Sequence, residues 1–185
     1  MVNINVPITF TAIEAKGYRT PNDKKPVKIS IPDKQGATIT GEIGEMFIKE
    51  GKKEVFGPFA RITVDKLDND SYLKLTDTAD VIVNKIDTGG HLNLENKSVA
   101  KVGTIKKGLI WAFGEASLLI KALHDGADVS IAKKANVVIE NFNLKGKDNS
   151  QIRAEAGSFL RIKKASNVAL SNLSDGRFVI NNVRT

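Results

Sequence analysis

The sequence predicts an all-β protein, a parallel β-solenoid of about four or more three-strand coils preceded by a smaller β-rich N-terminal part. Short apolar-alternating segments follow one another with centres at Leu73, Ile82, Leu92, Val102, Ile110, Leu119, Val129, Val138, Ile152, Leu160, Ala169 and Val179, a spacing of roughly eight to ten residues apart from the 14 between Val138 and Ile152. Several of these segments repeat one another. Gly, Asn, Asp and Lys fill the gaps between them, as period-two strands joined by tight turns require.

The N-terminal part, residues 1–65, contains alternating segments at Val2 to Phe10, Val27 to Ile31, Ala37 to Ile43 and Arg61 to Val64, separated by turn-rich stretches. Pro7, Pro26 and Pro32 lie in or beside these strands. Proline cannot donate to a ladder, so these read as edge strands and the segment reads as a cap. Its first residues alternate polar and apolar without a basic stretch and an apolar run, so no signal peptide is expected. The expected location is cytoplasmic or within an assembled particle.

The solenoid, residues 66–185, rests on direct repeats. Ser71-Tyr-Leu-Lys-Leu75 followed by Asp80-Val-Ile-Val-Asn-Lys-Ile86 returns as Ser158-Phe-Leu-Arg-Ile162 followed by Asn167-Val-Ala-Leu-Ser-Asn-Leu173. A third copy is Asp128-Val-Ser-Ile131 followed by Asn136-Val-Val-Ile-Glu-Asn-Phe142, and the second half returns as Arg177-Phe-Val-Ile-Asn-Asn-Val183. Ile131 and Ile162 lie 31 residues apart, which three strands of this spacing would fill, so one coil is expected to hold three strands. Stacked in this way, Val81, Val137, Val168 and Phe178 point inward, as do Val83, Ile139, Leu170 and Ile180. Lys85, Asn141, Asn172 and Asn182 take the corner that follows, where an Asn side chain bonds to nearby backbone.

The most apolar stretch, Gly108 to Asp125, is expected to be a buried strand pair or an inserted helix from Gly114 to His124, with Trp111 in the core. An antiparallel sandwich is the competing architecture, because it shows the same strand spacing.

Over about the last 115 residues this alternation resembles the right-handed parallel β-helix fold of pectate lyases, phage tailspikes and bactofilins. The resemblance lies in a pattern, not a signature motif, and implies a fold without fixing a function. The chain departs from the lyases in lacking a convincing aspartate cluster, and from the bactofilins in its well-patterned N-terminal third.

Composition narrows the chemistry mainly by exclusion. With no cysteine the chain has no disulfide framework, thiolate site or cysteine nucleophile. A formal charge of +7 and a pI near 9.5 favour acidic partners such as an anionic polymer. His91 and His124 have no second ligand at metal spacing and read as turn or surface residues, so no metal and no cofactor is expected. Asp77, Asp80, Asp87, Asp125, Asp128 and Glu155 are the carboxylates available for hydrolytic chemistry, but no pair stands out. The expectation is a protein that is not an enzyme.

Two features carry the functional expectation. Lysine pairs follow strands at Lys106-Lys107, Lys133-Lys134 and Lys163-Lys164, spaced 27 and 30 residues apart. On one corner they would form a basic stripe for a polyanion or a partner. The last strand signal, Phe178, Val179, Ile180, Asn181, Asn182 and Val183, would offer an unpaired edge for self-association. The expected function is a structural or assembly protein, a virion component or scaffold acting as a homo-oligomer or with other assembly subunits. The alternative is a carbohydrate- or other polyanion-binding β-helix protein with lyase or hydrolase activity.

Overall fold

A computed structural model describes residues 2–4, 13–15, 27–31, 33–34, 36–39, 45–47, 53–55, 62–143, 150–166 and 177–184. Every described element is a strand. In chain order they are β1 (Val2–Ile4), β2 (Ile13–Ala15), β3 (Val27–Ser30), β4 (Gly36–Ile39), β5 (Glu45–Phe47) and β6 (Lys53–Val55). Next come β7 (Ile62–Leu67), β8 (Tyr72–Leu75), β9 (Asp80–Ile86), β10 (His91–Leu94), β11 (Val99–Ile105) and β12 (Leu109–Ala112). The last are β13 (Ser117–Leu123), β14 (Asp128–Ile131), β15 (Asn136–Asn143), β16 (Gln151–Ala154), β17 (Phe159–Ser166) and β18 (Arg177–Arg184).

These strands form a parallel β-solenoid. From β7 to β17 successive strands alternate between a ten-stranded sheet, in which β7, β9, β11, β13, β15 and β17 stack in order with β18 added beside β17, and an eight-stranded sheet that stacks β8, β10, β12, β14 and β16. Each coil therefore has two strands and two turns, not the three strands expected from sequence. Ala100 lies in register between Val81, 19 residues earlier, and Leu118, 18 residues later. Leu118 stacks on Val137, again 19 residues on. The step from Val137 to Leu160 is 23 and contains residues 144–149, which lie outside the described residues.

The repeat of 31 is thus not a coil. Ile162 stacks on Ile139 in the ten-stranded sheet, whereas Ile131 stacks between Ala112 and Ala154 in the eight-stranded one. The expected register columns nevertheless hold where they fall on described residues, and Val81, Val137, Val83 and Ile139 are buried as expected. Val81, Val137 and Phe178 belong to one register column, Val83, Ile139 and Ile180 to a second, and Lys85, Asn141 and Asn182 to a third that also contains Lys164. Val168, Leu170 and Asn172 lie outside the described residues.

The long strands bury their second, fourth and seventh residues, as in β9 with Val81, Val83 and Ile86. The extra polar position before the seventh residue, occupied by Lys85 in β9, turns the chain toward the next sheet. The short strands bury alternate residues, such as Leu73 and Leu75 in β8. Each fully buried Val, Leu or Ile contributes about 1.5–3 kcal/mol, and no coil could bury both of its sheets without its neighbours.

Residues 109–123 form β12 and β13, the buried strand pair, and the helix alternative is excluded. Trp111 is not in the core. Ile110 and Ala112 are buried, so strict alternation in β12 sends Trp111 outward, where it is 40% exposed.

Turns repeat one backbone device. Asp77, Asn96, Gly114, Lys133 and Gly157 each take a left-handed φ between 54° and 82° in the turns that lead from the eight-stranded to the ten-stranded sheet. Amides tie turns of adjacent coils together: Asn96 Nδ2 donates to Asp77 Oδ1 at 3.2 Å, and Asn69 Nδ2 to Asp33 Oδ2 at 3.1 Å.

Parallel stacking does not begin at residue 66. That position lies inside β7, and β3 and β4 already pair parallel with β7 and β8. Antiparallel strands finish this end: β2 on β1 in the ten-stranded sheet, and β5 and β6 beyond β4 in the other.

Candidate functional site

The three lysine pairs do not share a corner. Lys106 and Lys107 form the turn between β11 and β12, which leads from the ten-stranded to the eight-stranded sheet. Lys133 and Lys134 form the turn between β14 and β15, which leads back. Lys163 and Lys164 lie within β17, where Lys163 Nζ bonds Glu140 Oε1 at 3.0 Å on the neighbouring strand. The six lysines are exposed but occupy two turns and one sheet face, so the expected six-residue row does not exist.

Lys107 and Lys133 instead serve the turns through their backbone. Their φ angles are 52° and 60°. Lys107 C=O accepts from Gly89 N–H at 3.1 Å, and Lys134 N–H donates to Gly114 C=O at 2.9 Å.

A different basic surface is assembled on the outer face of the ten-stranded sheet. Across β11, β13, β15, β17 and β18, Lys101 and Lys121 come from β11 and β13, Arg161, Lys163 and Lys164 from β17 and Arg177 from β18, all turned outward, while β15 adds no cation. Glu140 is the one acid among the described outward side chains of these five strands. Apolar side chains run between the cations: Val99, Leu119, Val138 and Phe159 are half-buried, and Val179 is 44% exposed. Small Ser117 leaves a shallow depression of about 360 Å³, with Val99, Leu119 and Val138 along it and Lys101, Arg161 and Lys163 at its margin. No single sequence motif announces this surface, because its members come from positions about 19 residues apart that alternate with core residues.

The predicted terminal edge is placed as a strand. β18 pairs parallel with β17 over its length, and among the described residues no strand pairs with its other side. Arg177 N–H donates to Ser158 C=O at 3.0 Å. In a parallel ladder the bonding direction alternates residue by residue, so the N–H and C=O of Phe178 and Ile180 face away from β17.

The carboxylates singled out from sequence are dispersed. Asp77 and Glu155 lie on turns leading to the ten-stranded sheet, Asp87 and Asp125 on turns leading from it, and Asp80 and Asp128 begin strands of different sheets. Lys85, hydrogen-bonded to Asp87, holds that carboxyl below its ordinary value, helped by the backbone N–H of Thr88 and opposed by partial desolvation. Asp68 likewise raises Lys66 above the ordinary lysine value. Both pairs lie at turns that lead from the ten-stranded sheet. Comparison with family models, curated proteins and solved structures finds no match to this chain.

Proposed function

We propose that this is a non-enzymatic structural or assembly protein, of the kind that builds particles or scaffolds, and that it self-associates through β18 and the adjoining outer face of the ten-stranded sheet. The observation that carries this reading is the coincidence at β18 of a ladder side that no described strand pairs with and exposed Val179. An unpaired strand edge is a template for another strand, and a flanking apolar side chain adds burial to the backbone bonds. The two ends of the solenoid also differ, since short antiparallel strands of three residues finish the N-terminal end and an eight-residue parallel strand stands at the other.

Light scattering across a concentration series tests it. The wild-type chain is expected as an oligomer, and Val179→Asp, which leaves the core side chains in place, shifts it to monomer. Removal of residues 177–185 gives the same shift. A wild-type monomer, or an oligomer indifferent to Val179→Asp, would contradict the reading.

One observation favours a second reading, the binding of an anionic polymer: six cations against Glu140 on one sheet face. The joint change of Lys101 and Arg161 to Gln is expected to abolish salt-sensitive retention on heparin. Retention unchanged by that pair would remove the face from consideration.

A further inference from the structure

The eight-stranded sheet carries the chain's single tryptophan on its outer face. Leu92 and Leu94 are buried, so β10 turns Asn93 outward, in register beside Trp111 of β12. Although it points outward, Asn93 is only 8% exposed. Its Nδ2 donates to Tyr72 Oη at 3.2 Å and to Glu95 Oε1 at 3.3 Å. The carboxylate sets the amide's orientation, because exchanging its O and N would put two acceptors together. Asn93 Oδ1 is thereby left buried with no donor among the described residues. Such an orphaned acceptor carries a cost in the free protein that a ligand donor relieves.

Beside this pair the surface becomes concave. Glu95, Phe113 and Lys133 line a depression of about 310 Å³ at the turn that follows β12. Glu95 is anchored by Lys74, whose Nζ lies 2.9 Å from Oε2. Lys133 keeps a φ of 60° at the turn position that Gly114 fills in the preceding coil.

We propose that Trp111, Phe113, Asn93, Glu95 and Lys133 form a site for a pyranose ring of a neutral glycan. The indole face takes the apolar C–H face of the sugar. Hydroxyls both donate and accept, so one ligand supplies a hydrogen to Asn93 Oδ1 and to Glu95 and accepts one from Lys133. Because Oδ1 is covered, its engagement requires a neighbouring side chain to shift. A protein partner fits less well: the register neighbours of Trp111 are Asn93 and Ser130, with Lys74 and Arg153 beyond them, whereas an interface core is apolar. The site lies on the face opposite the basic sheet and is independent of the β18 edge.

The single tryptophan makes the test direct. The full chain is titrated with cellohexaose, maltohexaose, chitohexaose and mannohexaose while indole emission is followed. At least one is expected to give a saturable change with Kd of about 1 mM or tighter. Asn93→Ala is expected to weaken that response about tenfold or more. Trp111→Ala, an exposed change whose folding circular dichroism confirms, abolishes retardation in affinity electrophoresis. No response to any of the four glycans, or retardation that survives Trp111→Ala, overturns the proposal. So does self-association that depends on Trp111, which assigns the face to a protein partner.

Discussion

A Cβ added to Gly90 would lie 2.2 Å from the carbonyl oxygen of Leu67 in the preceding coil, and one added to Gly103 would lie 2.3 Å from that of Asn84. Both obstacles are backbone atoms of a stacked strand or turn, which cannot rotate away. Gly90→Ala is therefore expected to destabilise by about 1–3 kcal/mol, read as a lower urea midpoint. Lys133 and Lys107 present the opposite case. Their left-handed backbones cost about 1–2 kcal/mol in an L residue. Lys133→Gly should raise the urea midpoint, by up to about 1 kcal/mol after the extra unfolded-state freedom of glycine is subtracted. Asp87 supplies a pH dependence. Its carboxyl is held below 3.8 by Lys85, so the stability it contributes is fully present above that pH and is lost as pH falls through the depressed value. Asp87→Asn should flatten the acid limb of a stability-against-pH curve and leave the neutral region nearly level. Trp111 marks the limit of residue-level reading. The apolar richness of residues 109–123 suggests a core position, yet period two within Leu109-Ile-Trp-Ala112 places Ile110 and Ala112 inside and the indole outside. Asn93 was invisible for a related reason: its burial comes from side chains of the coils beside it, and no local pattern reports that.

Strand positions were legible to within a residue or two, because period-two alternation and turn residues are local signals. All the expected strand centres that fall on described residues lie in strands, from Leu73 in β8 to Val179 in β18. The assignment of strands to sheets was not legible. Buried Ser71, Ser98 and Ser158 precede β8, β11 and β17, which belong to both sheets. Ser71 and Ser158 bond within their own turns: Ser71 Oγ accepts from Asp68 N–H at 2.7 Å, and Ser158 Oγ donates to the Glu155 carbonyl. A serine followed by alternating apolar residues therefore marks a turn exit without saying toward which sheet, and the resemblance of Ser71–Leu75 to Ser158–Ile162 misled the period. Strand length separates the sheets: the inner strands of the ten-stranded sheet from β9 to β17 run seven or eight residues, and their counterparts β8 to β16 run four. The seventh residue of a long strand closes the core against the turn. Phe142 does so in β15 at 2% exposure, and Phe142→Ala should cost about 3–5 kcal/mol in chemical denaturation.

Across the whole molecule, stability and function both follow from stacking. Each coil touches only its neighbours, so the rod is quasi-one-dimensional, and whatever ends it must be capped or paired. The basic face and the Trp111 platform are built by bringing together residues about 19 positions apart, which is why no contiguous motif identified them, whereas the β18 edge is a single contiguous strand and was legible as one. Their existence depends on the two-strand coil. Because the chain holds no cysteine, paired cysteines can measure the register directly. Lys101→Cys with Leu119→Cys joins outward neighbours on adjacent strands, while Ser130→Cys with Arg161→Cys joins positions that only a three-strand coil would stack. With a short thiol cross-linker and peptide mass spectrometry, the first pair is expected to link within one chain and the second to stay open. Linkage of the second pair without the first would contradict the architecture and every site placed upon it.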